Sequence, residues 1–493
     1  MRAPPRDALL EQLDGGFVDL LVVGGGIVGS RIAYEAARAG MAVALIDAGD
    51  FGGATSSSSS KLVHGGLRYL AAGEFRLVRR LHGERRVLMT HIAPHLVRPQ
   101  PLLLVVEREH ARRSVNLLAA LTLYGALAAS HRSLPELMRP RHARLLVPAL
   151  DDSAIALCGL VSEAQTHDAR LTLATVRAAA AAGAATLNYA RLEAWESKRG
   201  RVTGAVLRDV HGGNEVRLRF RAAINAAGPW VDWVRQLADE RAPRLARLSR
   251  GIHVVLPLDC TWRAGIALFE ESRSAVAVPW QGMLLVGTTD TEVDEPDSAL
   301  PDDSEIEAVL SPLARILRDG SLDRGRVVHS FAGVRVLPRD DGDVARASRE
   351  HLLESAASGL ISVAGGKLTT HRTIAVDALR RLPAELRPRR LTPSADALPG
   401  AGYGKPLPGN LDPDIVAHLI SLYGADASRV AAYAAIAPET LERVHARGPD
   451  ILAQVLFARD HEFALTVDDI ALRRTTLAVR GLADEHTRSR LEH

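Results

Sequence analysis

Apolar and polar positions fall into blocks of differing period along the chain. The first is Asp19-Leu20-Leu21-Val22-Val23, an apolar run of the length of a buried parallel strand. Gly24, Gly26 and Gly29 follow in GxGxxG spacing, and a helical stretch with Ala33 on its small-residue face runs to Gly40. A second strand is expected over Met41 to Ile46, closed by Asp47. Glu74 to Leu96 carries Arg and Leu at helical spacing, and Leu117 to Ala129 is a largely apolar segment. A helix from Asp168 to about Gly183 and a strand from Ala185 to Leu192 come next. Val202, Ala205, Leu207 and then Val216, Leu218, Phe220 flank Gly212-Gly213-Asn214 as a hairpin would. Between Arg250 and Asp290 the pattern becomes short β-rich runs, Ile252 to Leu256, Ala264 to Phe269, Ala275 to Pro279 and Met283 to Val286, which predict an antiparallel sheet. From about Leu407 the chain is helical: Asp412-Pro413 opens a helix with Ile415, Leu419 and Leu422 on one face, and Gly424 ends it. Thr466 and Asp469 form a capping-box pattern before a last helix.

Strand, glycine turn, helix, strand and acid in this order describe a dinucleotide-binding unit. Gly24 permits the tight turn, Gly26 lets a pyrophosphate approach the backbone, and Gly29 lets the helix lie near the strand. The first helical N–H groups, at Ile27 and Val28, face the phosphates. Asp47 stands where a carboxylate accepts ribose hydroxyls, which disfavours NADP. A glycine turn alone would equally suit packing; the complete βαβ context carries the reading.

Gly52-Gly53-Ala54-Thr55 and the serines Ser56 to Ser60 lead into Lys61-Leu62-Val63-His64-Gly65-Gly66-Leu67-Arg68-Tyr69-Leu70. Serines alone suit a flexible linker, but a linker rarely ends in two glycines flanked by His, Arg and Tyr. This block resembles the FAD-dependent glycerol-3-phosphate dehydrogenases, whose signature joins GGGxxG, an acid and a TSSxSSKLxHGGxRYL loop. The resemblance implies that the loop crosses the FAD diphosphate and reaches the flavin ring, placing Thr55, Ser56, Ser57, Lys61, Leu62, His64 and Gly65 at the cofactor.

The resemblance continues to about Leu477. His167-Asp168-Ala169-Arg170 is similar to a family Asp-Asp-Ala-Arg motif, with Asp168 expected as a helix cap. The strand holding Leu192 is expected near the adenine. Asn225-Ala226-Ala227-Gly228-Pro229-Trp230 matches NAxGPW, and Gly228 would let the backbone approach the cofactor; an ordinary strand-to-helix turn is the other reading. The family also has the GTTD of Gly287-Thr288-Thr289-Asp290 and an Arg-Gly-x-His segment in which His253 is either a core or a cavity histidine. Phe331 to Leu337 matches xxGVRPL, with Val336 in place of proline and Arg335 as its key residue. Arg349 aligns with a family phosphate-binding arginine across a small deletion. Gly365-Gly366-Lys367-Leu368-Thr369-Thr370-His371-Arg372 matches GGKLTTYR with His371 replacing Tyr, so that Gly366 to Thr369 would direct positive helix-dipole charge toward the flavin N1 and O2 side. Arg31 replaces a small residue usual on the first helix, and Asp47 the more frequent Glu.

A small phosphorylated alcohol offers one dianion to anchor and one carbinol hydrogen to transfer. Arg68, Arg349 and Lys367 supply the cations for that anchor, and Tyr69 and Thr370 neutral donors. As C2 delivers hydride to flavin N5, alkoxide character develops, and Arg335 is assigned to stabilise it. The base stays open between Arg335, a poor one because its pKa exceeds about 12, and His64, which titrates near neutrality.

The 493 residues, with 61 basic against 58 acidic and a net charge of +3, do not show a nucleic-acid-binding profile. Cys158 and Cys260 alone give neither a disulfide framework nor a metal cluster and suit a reducing compartment. Met1 to Gly16 lacks a signal-peptide core and reads as a short tail, so cytoplasmic residence is expected. The segment Leu117 to Ala129, flanked by Arg108, Arg112 and Arg113 and by His131, Arg132, Arg139 and Arg141, is too short to span a bilayer. It is either a buried helix or a monotopic foot on anionic lipid; the resemblance, which implies electron transfer to membrane quinone at the cytoplasmic face of the inner membrane, favours the foot. The expected fold is α/β: a glutathione-reductase-like FAD-binding Rossmann domain with an inserted antiparallel β substrate domain and an α-helical C-terminal cap. The oxidoreductase region would span 17–400, with FAD-binding parts about 17–100, 160–250 and 325–385 and the substrate domain mainly about 251–330. The cap would span 401–493 and serve packing or a homodimer contact.

Overall fold

The computed structural model describes residues 2–71, 73–128, 135–269, 274–296, 301–318, 320, 322–339 and 351–492. Arg349, His131 and Arg132 lie outside the described residues, as does the side chain of Arg68.

The first apolar run forms the strand Phe17–Val23, and both its faces are covered. Leu20 and Val22 enter one core, Leu21 and Val23 the other, which is why the run is continuous rather than alternating. It pairs in parallel with Val43–Ile46 and Glu215–Asn225. Ala185–Leu187 and Ile361–Gly365 extend the sheet in parallel, and His351–Ser355 adds an antiparallel edge. The strand expected over Ala185 to Leu192 breaks at Tyr189, whose φ of 52° turns the chain into a separate strand, Ala190–Lys198. That strand, Arg201–Asp209 and Glu215–Asn225 form an antiparallel meander.

Helices Ile27–Arg38, Asp168–Ala181 and His371–Leu379 cover the Leu20 and Val22 face. Arg31 is wholly buried there: its Nη2 donates to the Glu35 carboxylate and to the Ser394 carbonyl, both at 2.6 Å, so the departure noted on this helix is accommodated by an internal ion pair. The N-terminal tail contains a helix, Arg6–Leu13, whose Leu9 and Leu13 enter the opposite core.

The second sheet has ten described strands and draws on more of the chain than the run 251–330. Ala246–Pro257, Gly265–Phe269, Ser274–Trp280, Met283–Gly287 and Thr291–Val293 are joined by Val97–Glu107 and Ile155–Thr166, by the short Glu136–Met138, by His329–Pro338, and by Leu62–Val63 of the serine loop itself. The serine loop and the Arg335 strand are therefore built into this sheet. Sequence periodicity could not show that, because the pairings join segments far apart in the chain.

The described part of the segment Leu117 to Ala129 lies in a helix, Arg113–Ala128. Leu121 and Tyr124 are buried in the core that also holds Leu77 and Leu104, each such side chain contributing about 1.5–3 kcal/mol. Its other side leaves Val115, Leu118 and Leu123 at 73, 49 and 40% exposure. No helix among the described residues is long and apolar enough to cross a membrane.

The C-terminal region carries the helix Pro413–Tyr423, bounded by Asp412 and Gly424 as expected though Asp412 makes no side-chain capping bond, and Leu452–His461. Buried ion pairs clamp it to the nucleotide-binding part: Arg170 is bidentate to Glu462, both bonds 2.6 Å, and Arg177 lies 2.7 Å from Asp426.

Candidate active site

A cavity of about 1730 Å³ runs between the two sheets. Ligand pockets are typically about 300–1,000 Å³, so this one has room for a dinucleotide and a small substrate together. Gly24 has φ +105°, and a Cβ there would strike the Ala226 carbonyl; a Cβ on Gly29 would overlap the Gly24 oxygen. These contacts fix the tight turn and let the helix start beside the strand. Gly24, Gly26, Ile27 and Val28 line the cavity, with the helix N-terminus opening onto it. The Ile27 N–H donates to Ser56 Oγ at 3.0 Å, so the serine loop lies across that terminus.

Asp47 accepts from the N–H groups of Gly25 at 2.7 Å and Gly49 at 2.9 Å. Those bonds leave further acceptor sites on a carboxylate that borders the cavity. Burial pushes its pKa up to about 6, opposed by the two N–H groups and by the charge of Arg473. Leu192 and Gly228 line the same cavity.

The loop after Thr55 is fixed from several sides. Thr55 donates to the Val334 carbonyl at 2.6 Å, tying the loop to the second sheet. Ser59 and Lys61 both bond Asp168, and Ser60 Oγ lies 2.8 Å from His253 Nε2. The Gly65 N–H donates to Glu163 at 2.8 Å, and the same carboxylate accepts from Arg85 and Tyr124. Ser56, Leu62, His64 and Tyr69 thereby come to face the cavity. The His64 and Tyr69 rings stack at 6.2 Å.

Arg335 enters from the strand His329–Pro338. Its Nη2 donates to Thr288 Oγ1 at 2.7 Å, and its Nη1 donates to the Thr289 carbonyl at 3.0 Å and pairs with Asp290 at 3.3 Å. Gly251 faces the guanidinium, and a Cβ there would collide with it. The GTTD turn is thus the holder of the arginine. Across the cavity, Gly365 and Gly366 take φ of +74° and +97° where the strand Ile361–Gly365 ends. Lys367 follows with its ammonium 3.1 Å from the centre of the Tyr69 ring, and Gly366, Lys367, Leu368 and Thr369 line the cavity. His253 also lines it, stacked on Phe331 at 5.1 Å. Burial, with Arg335 and Lys61 nearby, holds its pKa well below the usual range, so it is neutral.

Several expected site residues stand behind this wall. Gly29 packs on Gly24, and Ser57 donates to the Ala54 carbonyl at 3.2 Å. Lys61 directs its ammonium to Ser57 O and Asp168 and braces the loop. Gly65 is enclosed by Tyr124 and His82, and Thr370 is buried with its hydroxyl 3.4 Å from the Lys367 carbonyl. Asp168 is the first residue of its helix; the cap position falls to His167, whose Nδ1 accepts from the Arg170 N–H. Sequence reading missed Glu163 and Arg473, whose roles arise from contacts with distant segments.

A cradle for a diphosphate, an acid for a ribose and a cation-lined pocket beside a glycine-rich strand end define a flavoprotein oxidoreductase. The family model "FAD dependent oxidoreductase" matches residues 19–372, and "C-terminal domain of alpha-glycerophosphate oxidase" matches residues 362–487. The chain is 33% identical to the glycerol-3-phosphate dehydrogenase of Mycobacterium leprae, covering 97% of this chain and 85% of that protein. It is 34% identical to that of Synechocystis, covering 94% and 89%. The crystal structure of the glycerol-3-phosphate dehydrogenase from Bacillus halodurans complexed with FAD superposes with a TM-score of 0.77 at 26% identity, covering 99% of this chain and 95% of that one. The chain belongs to the FAD-dependent oxidoreductases, in the glycerol-3-phosphate dehydrogenase family, and its cofactor is FAD.

Proposed function

We propose that this protein oxidises sn-glycerol 3-phosphate to dihydroxyacetone phosphate and passes the electrons to a membrane quinone. The observation that carries the reading is the convergence of two cations, Arg335 and Lys367, with His64 and Tyr69 on one cavity. FAD supplies a two-electron acceptor for the C2 hydride. Lys367 attracts the phosphate dianion, with Arg68 and Arg349 assigned to the same anion. Arg335, its fork set by Thr288, Thr289 and Asp290, stabilises the developing alkoxide at the C2 oxygen. Two nitrogens so constrained meet the charge without reorganising, and a guanidinium is too weak a base to take the proton. His64 takes the hydroxyl proton, so one proton and one hydride leave the alcohol and a ketone remains. The names of the relatives support the substrate, and the exposed apolar side of Arg113–Ala128, with Arg108 and Arg112 before it, supports attachment to the cytoplasmic face of an anionic membrane where a quinone is met.

Anaerobic mixing tests the substrate: glycerol 3-phosphate should bleach the flavin, whereas glycerol and lactate at equal concentration should not. Equal bleaching by the unphosphorylated alcohol would sink the reading. A second reading, an oxidase using oxygen, is favoured by the match of residues 362–487 to the oxidase C-terminal family. Hydrogen peroxide formed per turnover, with and without a soluble quinone, separates the two.

A further inference from the structure

The C-terminal cap reaches the cofactor cavity through Arg473, on the helical turn Ile470–Arg474, at the end lined by Asp47, Gly49 and Tyr189. Arg473 Nε and the Arg474 guanidinium grip the same carboxylate, Asp50, with Arg474 Nη2 at 2.8 Å. Arg473 Nη2 also donates to Asp469 at 2.9 Å, and Asp469 accepts from the Tyr189 hydroxyl at 2.6 Å. Arg473 Nη1 has no hydrogen-bond partner among the described residues, on a side chain that borders the cavity.

Asp50 sits three residues beyond Asp47, in a loop whose Gly49, Gly52 and Gly53 give it little stiffness of its own. Its shape is imposed from outside. Two guanidiniums from another part of the chain hold Asp50, and Asn188 ties the same region to the cap by donating to the Phe463 carbonyl at 2.8 Å.

We propose that the Arg473, Asp50 and Arg474 clamp is a latch on the adenosine half of FAD, so that cap docking and cofactor retention are one coupled equilibrium. Arg473 closes the nucleotide end and positions the loop that carries Asp47 to the ribose. Its charge also adds to the Gly49 and Gly25 N–H groups in favouring the ionised, accepting form of Asp47, against burial and the neighbouring charge of Asp50. Coupling is reciprocal: FAD tightens the cap as the cap tightens FAD. The inference rests on the cofactor alone and holds whichever alcohol is oxidised.

The test uses the full chain stripped of flavin and titrated with FAD and with ADP. Arg473→Gln should weaken both by about tenfold or more, a coupling of ordinary size. The acid-side midpoint of FAD binding should also move to higher pH, a shift that loss of packing alone would not produce. Unchanged affinities, or weaker FAD binding with ADP unaffected, would overturn the proposal. Should the variant not fold, hydrogen exchange on the wild-type protein decides: residues 462–477 must exchange faster without FAD than with it, and equal protection in the two states would overturn the latch.

Discussion

Lys61 and Asp168 form an ion pair of 2.7 Å inside the wall of the cofactor cavity, with both side chains almost wholly buried. Lys61 has φ +57°, a left-handed conformation that a side chain disfavours. Asp168 offsets that cost by also accepting from the N–H and hydroxyl of Ser59, so one acid at a helix start sets the path of the loop toward the flavin.

Asp168→Asn should therefore act on the loop while leaving the helix in place. It leaves the Lys61 charge buried without a counter-charge, a change that costs about 3–5 kcal/mol. Flavin fluorescence should then appear at a lower temperature on heating than in the wild type. Release at the wild-type temperature would show that the pair does not hold the loop.

Gly251→Ala is expected to impair catalysis through Arg335. The new methyl would collide with the guanidinium and push it off Thr288 and Asp290. A displacement of that order costs about 100-fold in rate. Rapid-reaction measurement of flavin reduction should show it with FAD still bound, and Arg335→Lys, which keeps the charge but loses the fork, should fall in the same range. A Gly251→Ala protein reduced at the wild-type rate would remove Arg335 from the reacting centre.

Asp47 gives FAD affinity a pH dependence. Its carboxyl titrates near 6 because burial disfavours the charge. A ribose hydroxyl donates best to the ionised form, so binding lowers this pKa and releases a proton from whatever fraction is protonated. Affinity is then full above about pH 6 and declines as pH falls through it, by at most about tenfold per unit. The apoprotein moves oppositely: its folded-state pKa exceeds the unfolded value, so the stability Asp47 contributes is present at low pH and lost as pH rises through 6. Fluorescence titrations from pH 5 to 8 check the first trend, and Asp47→Asn should flatten it.

Much of this was legible in the residues. The run Asp19 to Val23 could be recognised because both faces of its strand are covered, and Gly24 and Gly29 because close backbone contacts forbid a side chain. Arg335 could be singled out from its motif, and it lines the cavity, but its dependence on the GTTD turn was not legible, since the two meet across strands paired through Ala246–Pro257. Asp168 looked like a cap because acids favour helix starts. Only the fold reveals that Lys61, remote in sequence, lies against it. The serine run carried the least information by itself, for four of its hydroxyls take their meaning from different partners: Ile27, Ala54, Asp168 and His253.

The exposed side of Arg113–Ala128 yields the last prediction. Val115, Leu118 and Leu123 stand in water while Leu121 and Tyr124 anchor the helix from beneath, so the outer side chains can change without unfolding it. Inserted into a lipid interface, each leucine would bury its remaining exposed half and gain half of the ~1.5–3 kcal/mol of full burial. Replacing Leu118 and Leu123 together by Glu removes both gains and places two negative charges against anionic headgroups. Sedimentation with anionic vesicles should fall by at least about tenfold, since about 1.4 kcal/mol already corresponds to that factor. Flavin reduction by substrate in solution should stay at the wild-type rate while quinone reduction in the vesicles drops. Binding to vesicles at the wild-type level would mean that this helix is not the membrane contact, and its apolar side would then need another explanation.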